Sequence, residues 1–381
     1  MAHFPLFLLQ LLSLLLVSSA QVMPIKYFLN CGSKSDIIID DRKFVGDMNQ
    51  GTFRVGQSYP ISFKSSTDIP LYQTARFFEQ PASYEFEILD YGLYYVRLHF
   101  YPYMHGKTNL MPNVRFDVSI ANFSLLSNFG IDENSKLPVI EEFLLTLKGG
   151  VFNLHFAPRG KSKAFVNAIE VFLIPDKDFV MDDFPVITPT GKKATYVGVR
   201  SQVLRTIHRV NVGGPETNDT LWRPWIPDDA FLLSPASAKT CPPYNGEVRY
   251  DVLGANIYSA ADVVYNTCKE LGSNSSLITW RFDVSKNARH LLRLHFCDII
   301  SLRSAVVKFD ASIYSNFKQM IYPDDPFNKV EQLSAPFYWD LLVDSDESGV
   351  LSVSIGPRQD SPNKNAYLNG LEILEFSKEL N

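Results

Sequence analysis

The chain has 381 residues, 46% hydrophobic and 20% charged, so apolar material for a packed core is ample and disorder as the dominant state is excluded. A net charge of −5 argues against a protein built to coat nucleic acid. The length suits two domains or one large β domain, and the 13% aromatic content leans toward strands.

In chain order, Phe4–Val17 is almost wholly apolar, and Ser18-Ser19-Ala20 supplies the small residues of a cleavage site; residues 1–20 read as a secretory signal peptide. The run is shorter than the ~20 residues that cross a bilayer. Three acceptor triplets, at Asn122, Asn218 and Asn274, agree with a secreted glycoprotein. The cysteines Cys31, Cys241, Cys268 and Cys297 allow three pairings and show no metal-ligand spacing. Cys241 and Cys268, nearest each other within one half, are the expected disulfide; no metal and no cofactor are expected.

The sequence repeats. Arg97-Leu98-His99-Phe100 recurs 196 residues later as Arg293-Leu294-His295-Phe296, and flanking matches keep their order. Arg42, Phe44 and Asp47 match Arg223, Trp225 and Asp228, and Asn167-Ala168-Ile169-Glu170 matches Asn369-Gly370-Leu371-Glu372. The expected organisation is a first domain over 25–178, a linker over 179–205 and a second domain over 206–378. Pro185, Pro189 and Gly191 suggest that the linker is extended and semi-rigid, holding the two lobes about a cleft.

Within each copy the pattern is β. Tyr94 to Phe100 alternates, with Tyr94, Val96, Leu98 and Phe100 on one face and Tyr95, Arg97 and His99 on the other. Further strands are predicted at Val114–Ile120, Phe143–Leu147, Val151–Phe156, Phe165–Leu173, Val306–Ile313, Val350–Ile355 and Tyr367–Phe376, and a weak helix at Asp262–Glu270. Many short strands without a βαβ rhythm predict an all-β, antiparallel, jelly-roll-like sandwich.

The motifs Tyr27–Gly32, Val96–Phe100, Val118–Phe129 and Phe165–Pro175 in the first copy resemble the plant malectin-like receptor kinase family, the Feronia and Theseus class. So do Arg209–Pro215, Asn218–Trp222 with Arg223 and Trp225, Val264–Thr267, Leu292–Cys297 and Asn369–Phe376 in the second, over essentially the whole chain after the signal. The resemblance implies two tandem malectin-like β-sandwich domains at the cell surface. It also implies a secreted cysteine-rich peptide of the rapid alkalinization factor type as ligand and a small lipid-anchored co-receptor. The family's membrane span and kinase have no counterpart here, so the expectation is a secreted or cell-surface binding protein, with an incomplete gene model of a receptor kinase as the alternative.

No catalytic motif stands out: G-x-S-x-G, H-E-x-x-H and the glycine-rich phosphate loops are absent. The paired carboxylates Asp182-Asp183, Asp228-Asp229 and Asp324-Asp325 lie beside proline in turn-like sequence and read as solvated loops. His99 and His295, repeated beside Arg97 and Arg293, read as structural imidazoles. The most ligand-like stretch leaves the first Arg-Leu-His-Phe strand: Tyr101, Tyr103, His105, Lys107 and Asn109 offer aromatic faces and hydrogen-bonding groups on a loop. Trp222 and Trp225 are the other candidates, although Phe44 in place of Trp225 favours a core or interlobe role for them. The expected ligand is a secreted peptide, with pectin or another wall polysaccharide as the alternative, and no enzymatic activity is expected.

Overall fold

The structure is a computed structural model that describes residues 26–49, 51, 53–62, 68–101, 104–105, 108–109, 114–131, 137–191, 193–250, 253–301, 307–321 and 334–380. The signal segment 1–20, Tyr103, Lys107 and the Asp324-Asp325 pair lie outside these residues.

Two β-sandwich lobes share one fourteen-stranded sheet. On the first-lobe side its order is Ile37–Ile39, Arg42–Gly46, Lys26–Asn30, Ala168–Leu173, Gly92–Phe100 and Val139–Leu147; on the second-lobe side it continues with Val203–Asn211, Gly370–Phe376, Arg289–Phe296 and Phe337–Asp344. The seam is antiparallel, pairing Phe143, Leu144 and Leu145 with Arg205, Leu204 and Val203. Each lobe closes its core with a second sheet: Ala82–Ile88, Gly150–Pro158, Phe116–Ile120 and Phe123–Phe129 in the first, Ile278–Asp283, Val350–Pro357, Phe309–Ile313 and Phe317–Ile321 in the second.

Alternation dictates these layers. Tyr94, Val96, Leu98 and Phe100 enter the first core, and Leu292, Leu294 and Phe296 enter the second. The opposite face of the shared sheet is also covered, because Phe28, Phe172, Leu144, Leu221, Leu291 and Leu342 from both lobes form a third apolar cluster. The central strands are therefore buried on both faces, and the polar groups on them must find partners inside the protein.

Residues 179–205 differ from the expected extended connector. Asp183–Ile187 and Lys193–Val197 form a hairpin turned at Gly191, which continues the shared sheet beyond Phe337–Asp344. Phe184 and Val186 are buried in the shared cluster, which draws the segment onto the sheet, and pairing with Phe337–Asp344 is registered at Val186 and Ile187, past the missing N–H of Pro185. Val203–Asn211 then begins inside the span read as linker. The expected strand over Phe165–Leu173 is broken at Asn167, and that over Tyr367–Phe376 at Asn369. Of the weak helix only Asp262–Tyr265 is helical, because Lys269–Leu271 pairs as a strand.

The duplication extends to atomic detail. Gly32 and Gly213 have φ of +75° and +72°, and a Cβ would meet the carbonyl oxygens of Ala75 and Cys268. Their N–H groups donate to the Asp47 and Asp228 carboxylates at 2.7 and 2.9 Å. The Asn167 and Asn369 side chains each accept the backbone N–H that follows the repeated Arg-Leu-His-Phe strand, at 2.8 and 2.7 Å. Cys241 and Cys268 are joined, while Cys31 and Cys297 are buried free thiols.

Candidate functional site at the lobe junction

On the face away from the first core, Arg97 and His99 meet Glu142 from Val139–Leu147 and Glu170 from Ala168–Leu173. Arg97 Nε donates to Glu142 at 2.7 Å and Nη1 to Glu170 at 3.2 Å, while Arg42 Nη1 reaches Glu170 at 2.9 Å. Across the seam, Arg209 bridges Glu142 at 2.5 Å and Glu372 at 2.8 Å. Arg223 reaches Glu372 at 3.5 Å and Asp219 at 2.6 Å. Four guanidiniums, Arg42, Arg97, Arg209 and Arg223, thus alternate with four carboxylates, Glu170, Glu142, Glu372 and Asp219, in one chain across both lobes.

The alternation sets the protonation states. Burial pushes Glu142 and Glu170 upward, but Arg209 and Arg97 beside the first, and Arg97, His99 and Arg42 beside the second, pull each down to about 2. Burial lowers His295 below the usual histidine range, partly offset by Glu372. Its partners assign a neutral tautomer: Nε2–H faces the ionised Glu372 at 3.1 Å, and Nδ1 accepts from the Tyr265 hydroxyl at 2.9 Å. His99 repeats this geometry with Glu170 at 2.8 Å and Tyr72 at 3.0 Å. Both ring nitrogens of each histidine are occupied, which leaves neither free for proton transfer to a bound molecule.

Above this floor lies a hollow of about 440 Å³. One wall is the hairpin tip carrying Ile39, Asp40 and Arg42; the opposite wall carries Asn218, Trp222, Pro224 and Ile226. These walls belong to repeat-equivalent hairpins, Ile37–Ile39 with Arg42–Gly46 and Thr217–Asn218 with Pro224–Pro227. Ile69, Ile140 and Ile226 leave the rim aliphatic and exposed. The site is a hydrophobic mouth over a charged but internally paired floor.

The candidates from sequence scatter. Tyr101 is only 7% exposed, its ring stacked on Tyr72 at 5.4 Å; it caps the core and does not present a ligand surface. His105 and Asn109 sit on the paired segments Met104–His105 and Thr108–Asn109. Trp225 is fully buried, with Nε1 donating to Asp219 at 2.9 Å, and so is no contact surface. Trp222 does line the hollow, but its ring packs edge-on against Phe28 and Phe172, with the charges of Arg42 and Lys26 at 5.4 and 5.1 Å. Asn122, Asn218 and Asn274 are all exposed. Sequence reading named none of Arg42, Glu142, Glu170, Arg209 or Glu372 as site residues; their signal was a charge inside an otherwise apolar strand, as in Ala168–Leu173.

Among the described residues no three His, Cys, Asp or Glu side chains group as a metal site, and no helix is long and apolar enough to cross a membrane. The fold and the site together define a tandem β-sandwich whose lobes share one buried ionic floor. Residues 29–376 match the malectin-like domain model, and the chain belongs to that family. Among curated relatives from Arabidopsis thaliana it is 30% identical to the receptor-like protein kinase THESEUS 1 over 93% of this chain and 42% of that one. It is 33% identical to the receptor-like protein kinase HERK 1 over 92% and 42%. The chain thus spans less than half the length of these relatives. Among solved structures, the Arabidopsis thaliana ANXUR2 extracellular domain superposes with a TM-score of 0.77 at 23% identity, covering 93% of this chain and 97% of that one. The plant receptor-like kinase FER gives 0.72 at 26%, covering 93% and 96%, and FER in complex with the plant peptide RALF23 and LLG2 gives 0.71 at 26%, again covering 93% and 96%.

Proposed function

We propose that this chain is a non-enzymatic, extracellular malectin-like ectodomain that binds a secreted cysteine-rich signalling peptide of the rapid alkalinization factor type. It acts with a small lipid-anchored co-receptor in wall sensing or growth signalling. The observation that carries the reading is its likeness along nearly its full length to FER, a relative solved with a peptide of this kind.

The junction hollow supports a peptide over a polysaccharide. Sugar rings are held by exposed aromatic faces, yet Tyr72 is buried and Trp222 is packed against first-lobe rings under two cationic side chains. An aliphatic rim of Ile69, Ile140 and Ile226 suits apolar peptide side chains. Isothermal titration of the secreted chain with RALF23 and, separately, with oligogalacturonides tests this. The expected result is saturable peptide binding that Ile140→Asp or Ile226→Asp weakens at least tenfold. Binding of oligogalacturonide alone overturns the reading.

A further inference from the structure

One wall of the junction hollow carries a modifiable amide. Asn218 is exposed, lines the hollow and begins the acceptor triplet Asn218-Asp219-Thr220; Asn122 and Asn274 do not line it. Strand register shows where the amide stands. Thr217 pairs with Trp225, whose ring is buried, and Asn218 pairs with Pro224. Alternation therefore puts Asn218, Pro224 and Ile226 on the face opposite Trp225, and all three line the hollow. Asn218 and Ile226 are diagonal neighbours across the pair, about 7–8 Å apart. Among the described residues the Asn218 side-chain amide makes no hydrogen bond. The residues after it are fixed: Asp219 accepts the N–H groups of Leu221 and Arg223 at 2.9 and 3.0 Å, and the Thr220 hydroxyl donates to the Ile257 carbonyl at 2.7 Å.

We infer that Asn218 carries an N-linked oligosaccharide, and that this sugar, leaving the hairpin beside Ile226, covers the second-lobe wall of the hollow and limits how fast a peptide enters. The inference rests on the extracellular, peptide-binding reading proposed above. In the covalent step Asn218 Nδ2 forms a bond to the anomeric carbon of an oligosaccharide carried on a polyprenyl diphosphate. The sugar–phosphate C–O bond breaks, the diphosphate leaves with its electron pair, and the amide gives up one proton. In the folded tip the Thr220 hydroxyl is committed to Ile257 and the Asp219 carboxylate to Arg223 and Trp225. The triplet is therefore modified while the chain is still extended, and the folded tip then fixes the point of attachment.

The duplication makes this cover one-sided. The two equivalent hairpins turn opposite faces to the hollow: the first shows Ile39 and Arg42, on the Phe44 face, and the second shows the face away from Trp225. Ile38, paired with Lys43 as Asn218 is with Pro224, stands on the face turned away and is 73% exposed. A sugar at Asn218 thus screens the wall of the second lobe alone. Ile226 is reached after the sugar moves aside, while Ile69 and Ile140 on the first-lobe side stay open. Slower entry with unchanged contacts is the expected signature, because the sugar obstructs the approach and leaves the seated peptide's partners in place.

Glycopeptide mapping of the full chain secreted from plant cells is expected to find Asn218 occupied. Hydroxyl-radical footprinting, with no peptide present, is then expected to label Ile226 at least twofold more in Asn218→Gln than in the wild type, with Ile140 unchanged and with Asn274→Gln matching the wild type. RALF23 is expected to associate at least threefold faster with Asn218→Gln at a similar dissociation rate. An unmodified Asn218 overturns the inference, and so does equal labelling of Ile226 with and without the sugar. Equal association rates of RALF23 with the two chains overturn it as well. RALF23 bound by neither chain overturns the peptide reading instead, and the footprint then decides by itself whether the sugar covers the wall. Asn218→Gln changes an exposed side chain and is expected to melt with the wild type; where it is not secreted, wild-type protein trimmed by an endoglycosidase to the first sugar gives the same comparison.

Discussion

Glu372 holds together the second-lobe half of the ionic chain. Its oxygens face Arg209, Arg223 and His295, all buried, so removing its charge strands cationic groups in the interior. Breaking a buried pair in this way costs about 3–5 kcal/mol, because the partners' desolvation is no longer offset. Glu372→Gln, which keeps the shape, is expected to lower stability by about that amount in urea unfolding. Arg159→Ala, at an exposed pair with Asp117, should leave the midpoint nearly unchanged. Equal effects from the two substitutions would falsify the assignment of Glu372 as the anchor of that half. The repeat made the histidines legible as structural groups, since an imidazole duplicated with its strand belongs to the scaffold. Their acidic partners were not legible: Glu170 and Glu372 appear in sequence as one charge in an apolar run, and only strand register reveals that each lies beside an arginine and a histidine.

Among the elements, the Thr217–Asn218 and Pro224–Pro227 hairpin docks the second copy onto the first. Its turn carries Trp222 at φ +55°, a backbone state rare for a bulky residue, held by packing on Phe28 and Phe172 and by the Arg97 donor to the Leu221 carbonyl at 2.8 Å. Trp222→Ala keeps the strain and removes the packing. For this half-buried ring the expected loss is about 2–3 kcal/mol, below the fully buried range. Proteolysis should then cut the 219–223 turn first; unchanged resistance there would show that the ring contributes little to docking. Element positions were legible where alternation was clean, as at Gly92–Phe100 and Val350–Pro357. They were obscured where apolar residues run on without alternating with polar ones, as at 337–339 and 341–343 of the strand Phe337–Asp344, and where proline suggested a linker although Phe184 and Val186 anchor a strand.

At the scale of the molecule, the continuous sheet and the shared ionic chain make the lobes one cooperative unit, and acid should take that unit apart in a definite order. His295 has a folded pKa below its unfolded value of about 6.5. The unfolded chain therefore binds the extra proton, and the stabilisation present above that value is lost as pH falls through the folded one. Glu142 and Glu170 have folded values of about 2 against about 4.5 unfolded, so their contribution is full above pH 4.5 and disappears as pH drops toward 2. Protonating Glu142 releases Arg97 and Arg209 on opposite sides of the seam, while the apolar packing that makes up most of each sandwich core does not titrate, although each lobe also holds buried pairs of its own such as Arg76 with Asp47 and Arg293 with Asp340. Calorimetry is thus expected to record one transition at pH 7 and two near pH 2, when the cores outlast the junction between them. Glu142→Gln is expected to show two transitions already at pH 7, because the substitution removes at neutral pH what acid removes at low pH. A single transition for that variant at both pH values would mean that the backbone seam of Phe143–Leu145 with Val203–Arg205 couples the lobes without help from the charges.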